Sequence, residues 1–108
     1  MQKNLLFVVL SLFIFSVTDC NREKVDVTYT KDIKSIVVSH CANCHFWPNS
    51  NQPPQDPTYE GTKVLFQRPN FLDRIEHKKN AGNMPRSYKL PNKEIKKIRC
   101  WIEAGYPQ

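Results

Sequence analysis

Cys41-Ala42-Asn43-Cys44-His45 is the densest chemistry in this 108-residue chain: two thiols and an imidazole fall within five positions. Cys-x-x-Cys-His is the attachment pattern of c-type haem, in which both thiols add to the haem vinyl groups and the adjacent histidine ligates the iron. The spacing is mechanical. Two intervening residues bring both sulfurs to one porphyrin edge, and the next residue directs its imidazole at the metal. A redox Cys-x-x-Cys of the thioredoxin kind would sit near a βαβ pattern, which this chain lacks. A zinc site would need third and fourth ligands, and Cys20, Cys100, His40 and His77 do not stand at matching spacing.

Upstream of the motif, Ile33, Ile36, Val37 and Cys41 recur on one helical face. Thr30 is positioned to cap this helix and Asp32 lies in its first turn, where negative charge is favoured. The helix therefore runs into the motif and turns its apolar face toward the haem and the last helix. His40 lies beside Cys41 and reads as a surface or hydrogen-bonding residue, not a ligand.

The chain opens with Lys3 and the apolar run Leu5 to Val17, broken only by Ser11 and Ser16. A membrane span needs about twenty apolar residues, so this shorter run reads as a signal h-region. The expected layout is a signal peptide over residues 1–19, a flexible tether over 20–28 and a haem domain over 29–108. Within the tether, Val25, Val27 and Tyr29 alternate with Asp26 and Thr28, as in an extended arm or brief strand. Cys20 directly after the apolar run resembles a lipoprotein junction, where the thiol is acylated, although Asp19 is neither small nor neutral. Cleavage without acylation would release a soluble protein. Both routes export the chain to the periplasmic side, where covalent haem attachment takes place in bacteria.

Removing residues 1–19 leaves a formal charge of +6, because Lys3 and Asp19 cancel. No nucleic-acid motif accompanies that charge. The remaining single domain is small for a core built of side chains alone, and a covalent haem would supply further apolar surface.

Past the motif, residues 46–57 form a loop carrying Pro48, Pro53, Pro54 and Pro57. Phe46 and Trp47 either fold over the haem or pack beneath this loop. Tyr59 to Gln67 and Asn70 to Lys79 read as short helices parted by Pro69. Asn70 is the expected cap of the second, with Phe71, Leu72 and Ile75 facing inward. After residues 1–19, Met84 is the one methionine. It stands in a loop between Gly82 and Pro85, and its thioether is the candidate second axial ligand. His77 is the rival, and bis-histidine ligation would lower the reduction potential; an open sixth position is the third arrangement. The last helix is expected from Pro91, in its first turn, to Ala104, with Gly105 as its stop. Ile95, Ile98, Trp101 and Ile102 form its inward face. Lys93, Lys96, Lys97 and Cys100 should point to solvent, the lysines as a solvated stripe or a docking face for an acidic redox partner.

Taken together, Cys41-x-x-Cys44-His45, Met84-Pro85 and the closing Trp101-Ile102-Glu103-Ala104-Gly105-Tyr106-Pro107 resemble the small class I-like c-type cytochromes, especially the planctomycete-type cytochrome c domains. The likeness covers about residues 29–107. It implies an all-α, cytochrome c-like domain wrapped around one covalent haem c. Cys41 and Cys44 would form the thioethers, His45 and Met84 the axial iron ligands. Pro91-Asn92, in place of the family's serine or threonine cap, and the extra thiol of Cys100 depart from the pattern.

A haem iron filled on both faces suits electron transfer and leaves no substrate position. The chain contains no nucleophile and base pair, paired carboxylates or phosphate loop, so an exported electron carrier is expected and not an enzyme. A haem-based gas sensor, in which a diatomic ligand displaces Met84, is the alternative. A peroxidase-like site would need an open distal pocket with helpers, for which Arg86 and His77 alone are insufficient.

Overall fold

The computed structural model describes Cys20, residues 26–45 and residues 57–108, and among these every regular element is helical. The proposed signal segment 1–19 and the loop aromatics Phe46 and Trp47 lie outside the described residues.

Helix formation starts at Thr28, not at Thr30. Thr28 is extended (φ −117°, ψ 160°) and its Oγ1 accepts from the Lys31 amide, while its own amide donates to Asp32 Oδ2 at 3.3 Å. This is a reciprocal cap like Ser/Thr-x-x-Glu, with its acidic member one residue later. The register follows from the π-helical turn Tyr29–Ile33, where the Ile33 amide reaches back to the Thr28 carbonyl at 3.2 Å. Helix α1 (Lys34–His40) continues from that turn and buries Ile36 and Val37. Cys41 forms a turn and α2 (Ala42–His45) follows, so the motif occupies a bend at a helix end.

Packing already includes Val27, only 3 % exposed, so the domain's packed part begins ahead of Tyr29. The Tyr29 amide donates to the Pro107 carbonyl at 2.9 Å and ties this segment to the C-terminus.

Helices α3 (Tyr59–Phe66) and α4 (Phe71–Ile75) are shorter than the apolar pattern suggested. Thr58 caps α3 through the Gly61 amide at 3.0 Å. Asn70 does not cap α4 with its side chain: its backbone is left-handed at φ 62°, so it serves as the corner between the helices. His77 (φ 56°) and Asn80 (φ 65°) are also left-handed, and α4 ends at Ile75 because helical dihedrals stop there. Phe66 and Phe71 stack across the corner with centroids 4.2 Å apart.

Helix α5 (Asn92–Glu103) supplies the centre of the core. Pro91 sits one residue ahead of its first turn, where its carbonyl accepts from the Glu94 and Ile95 amides. Trp101 is fully buried and ringed by Phe66, Tyr106, Tyr29 and Tyr59, at centroid separations of 5.6, 5.0, 6.2 and 6.3 Å. Its indole N–H donates to the Pro107 carbonyl at 2.7 Å, which removes the cost of burying that donor. Gly105 at φ 82° makes this possible. The left-handed turn sends the Tyr106 amide back to the Trp101 carbonyl at 2.9 Å and folds the tail onto the indole. The closing Trp-Ile-x-x-Gly-x-Pro is thus one packing device.

Cys100 does not point into solvent. It is half-buried, packs against the core and forms a disulfide with Cys20 across a sequence separation of 80, with Cα atoms 5.2 Å apart. On the helical wheel it lies about 200° from Ile98 but only about 100° from Trp101, so it borders the buried face. Lys97 is exposed, as expected, and from the solvated stripe its Nζ reaches Asp32 Oδ1 at 3.5 Å.

Candidate haem attachment site

The end of α1 places the motif. The Cys41 amide still donates to Val37 at 2.9 Å, and the Cys44 and His45 amides both return to the Cys41 carbonyl at 3.2 and 3.0 Å. These bonds gather Cys41, Cys44 and His45 into a single turn. Both cysteines are free thiols, Cys41 half-buried and Cys44 exposed. Burial pushes the Cys41 thiol up to about 12, with smaller contributions from Cys44 and Glu94. It is therefore a protonated thiol at neutral pH. Burial, followed by the Arg68 guanidinium, lowers the His45 imidazole from its ordinary value. That favours the neutral ring, the form that can ligate a metal.

Met84 is half-buried on a separate loop after α4. Its amide donates to the Arg74 carbonyl at 3.1 Å, and Gly82 turns the chain into the loop at φ 79°. His77 Nε2 lies 3.1 Å from the Pro85 carbonyl. A carbonyl only accepts, so Nε2 carries the proton in that bond and is not a free lone pair for a metal. His77 thus anchors the methionine loop.

Among the described residues, no group of three or more His, Cys, Asp or Glu side chains is arranged to hold a metal ion. The spare ligands of the zinc reading are engaged elsewhere. Cys20 and Cys100 are bonded to each other, His40 meets Tyr88 and Glu94, and His77 holds Pro85. The donor set does fit haem: two thiols to bond the macrocycle, a neutral imidazole beside them and a thioether on an anchored loop.

Sequence patterning missed three residues around this turn. Arg68 acts on His45, while Tyr88 and Glu94 contact His40. Each comes from a distant segment, and none belongs to a recognisable motif. A surface groove of about 380 Å³ lies elsewhere, lined by Glu76, Lys78, Lys89, Asn92, Ile95, Lys96 and Arg99. Arg99, and more weakly Lys78, hold the Glu76 carboxyl below its ordinary range.

Comparison with protein-family models, curated proteins and solved structures found no match to this chain.

Proposed function

We propose that the chain is an exported monohaem c-type cytochrome of the planctomycete-type group, acting as an electron carrier. The observation that carries this reading is the partition of the four cysteines. The pair outside the motif is bridged, whereas the pair inside it stays as thiols in one turn with His45.

Cys41 and Cys44 would hold the haem covalently, and His45 and Met84 would ligate its iron. When bound, haem supplies an iron that accepts and releases one electron at a time. The protein's part is to fix that group. His45 offers a neutral nitrogen, and the bonds from Met84 to Arg74 and from His77 to Pro85 anchor the loop that carries the thioether. The groove beside α5 carries Lys78, Lys89, Lys96 and Arg99 against the single carboxylate Glu76, which pairs with Lys78 and Arg99, and this net positive lining supports docking of an acidic redox partner.

A disulfide belongs to an oxidising compartment, which agrees with export. The bridged sulfur of Cys20 is also the atom acylation would require, so the bridge supports a soluble periplasmic form over a lipid-anchored one.

Expression in a host with haem-attachment machinery tests the proposal. Intact mass should show one haem retained after denaturation, and the ferrous spectrum should not respond to carbon monoxide. A mass without haem sinks the cytochrome. Covalent haem that binds carbon monoxide readily would instead favour the gas-sensor alternative.

A further inference from the structure

His40 uses both ring nitrogens at the point where α1 gives way to the motif. Nδ1 lies 2.7 Å from the Tyr88 hydroxyl, and Nε2 lies 2.8 Å from Glu94 Oε2. The Nε2–Glu94 Oε2 approach is an ion-pair contact, and that buried oxygen has no hydrogen-bond partner of its own among the described residues. Nδ1 and the Tyr88 hydroxyl share a hydrogen bond whose direction follows the tautomer of the ring. Three separate segments meet here: the end of α1, the loop before α5 and the first turn of α5. Glu94 is also within electrostatic reach of Cys41.

The placement of this network is unlike that of the surrounding packing. Ile33, Val37, Ile98 and Trp101 already bury the contact between the two ends of the chain, and Lys97 pairs with Asp32 beside them. His40 acts further along, beside the bend through Cys41. Tyr88 itself is 46 % exposed, so a large ring remains near the surface with its hydroxyl directed to His40.

We propose that His40, held by Tyr88 and Glu94, is a positioning residue that fixes Cys41 for thioether formation. This rests on the haem reading above and names a residue outside the attachment motif. The step it serves is an addition. The Cys41 Sγ–H bond breaks, an Sγ–C bond forms to one vinyl carbon, the hydrogen ends on the neighbouring carbon, and no electron is gained or lost. A misdirected Cys41 would leave the haem joined through Cys44 alone.

The test expresses wild type, His40→Ala, His40→Gln, Tyr88→Phe and Glu94→Gln in a host with haem-attachment machinery. Intact mass counts haem, and the pyridine haemochrome spectrum counts unreacted vinyl groups, with Cys41→Ala as the single-thioether reference. His40→Ala should raise the singly attached fraction several-fold, with a haemochrome band moved toward that of Cys41→Ala. His40→Gln keeps a polar side chain facing Tyr88 and Glu94, and should restore double attachment. Tyr88→Phe removes one exposed hydroxyl and should shift the fraction in the same direction by less, which keeps the test open if His40→Ala folds poorly. Complete double attachment in both His40→Ala and Tyr88→Phe overturns the proposal while leaving the cytochrome intact. So does a His40→Gln chain as defective as His40→Ala. Wild type without covalent haem overturns both.

Discussion

Breaking the Cys20–Cys100 bridge should cost this domain a large part of its stability. The bond closes a sequence separation of 80, and chain-entropy scaling assigns such a closure about 4.5 kcal/mol at 25 °C. Small domains hold only about 5–15 kcal/mol in total. Cys100 also packs against the core, so Cys100→Ser adds a polar group at the edge of the apolar cluster, while Cys20→Ser isolates the loss of the cross-link. At roughly 4–8 °C per kcal/mol for a domain of this size, the melting temperature of Cys20→Ser should fall by about 20–35 °C. The assay is thermal unfolding of haem-loaded protein by circular dichroism, with and without a thiol reductant, alongside mass spectrometry of alkylated free thiols. Reduction should bring wild type to the variant's melting temperature and leave the variant unchanged. The same proteins should be tested by membrane fractionation, where bridged wild type belongs in the soluble fraction. A Cys20→Ser loss below about 1 kcal/mol would refute the entropic reasoning. Wild type in the membrane, with Cys100 alkylated and Cys20 released from it only as the serine variant, would refute the bridge itself.

Trp101→Ala should destabilise the domain by about 3–5 kcal/mol, the range for a buried aromatic; a denaturant midpoint shift worth less than about 1 kcal/mol would contradict its place at the centre of the core. In the haem-free chain, the part of stability that Cys41 controls should be flat well below pH 9 and fall as pH rises from the unfolded thiol's 9.0 toward about 12, because the unfolded state releases a proton that folded Cys41 keeps. The expected loss by pH 10 is about 1.4 kcal/mol, and Cys41→Ala, compared by urea unfolding at pH 8 and 10, should lack it. Met84→Ala should abolish the near-infrared thioether-to-iron band of the ferric haem protein and lower its potential, whereas His77→Ala should keep the band. Loss of the band only in His77→Ala would make the histidine the ligand.

Periodicity made the apolar faces legible. Ile36 and Val37 on α1, and Ile95, Ile98 and Trp101 on α5, repeat at helical spacing and are buried together. Gly105 was readable as a stop because its left-handed φ of 82° is cheap only without a side chain. The helix starts were harder. Thr28 and Thr30 both fit a capping residue, and the choice depended on a π turn that moves the acidic partner to Asp32. Asn70 and Pro91 occupy boundary positions as expected, yet neither caps with its side chain; one supplies a left-handed corner and the other a carbonyl.

The candidate site divides along the same physical line. Cys41, Cys44 and His45 are neighbours in sequence, so one helical turn brings them together without help from the rest of the fold. Partners that converge from elsewhere carry no local signal. His40 sees Tyr88 and Glu94 only after α5 docks on α1, and Cys20 meets Cys100 only after the chain closes on itself. Helical phase alone is ambiguous for Cys100, which lies about 200° from Ile98 but only about 100° from Trp101. A residue flanking Trp101 lies at the margin of the buried stripe, where a covalent partner decides on which side of that margin it falls. The bridge also bears on the motif. By pairing Cys20 with Cys100, the fold leaves the two thiols beside His45 without a third cysteine to exchange with inside the described domain, so both remain available for the same chemistry.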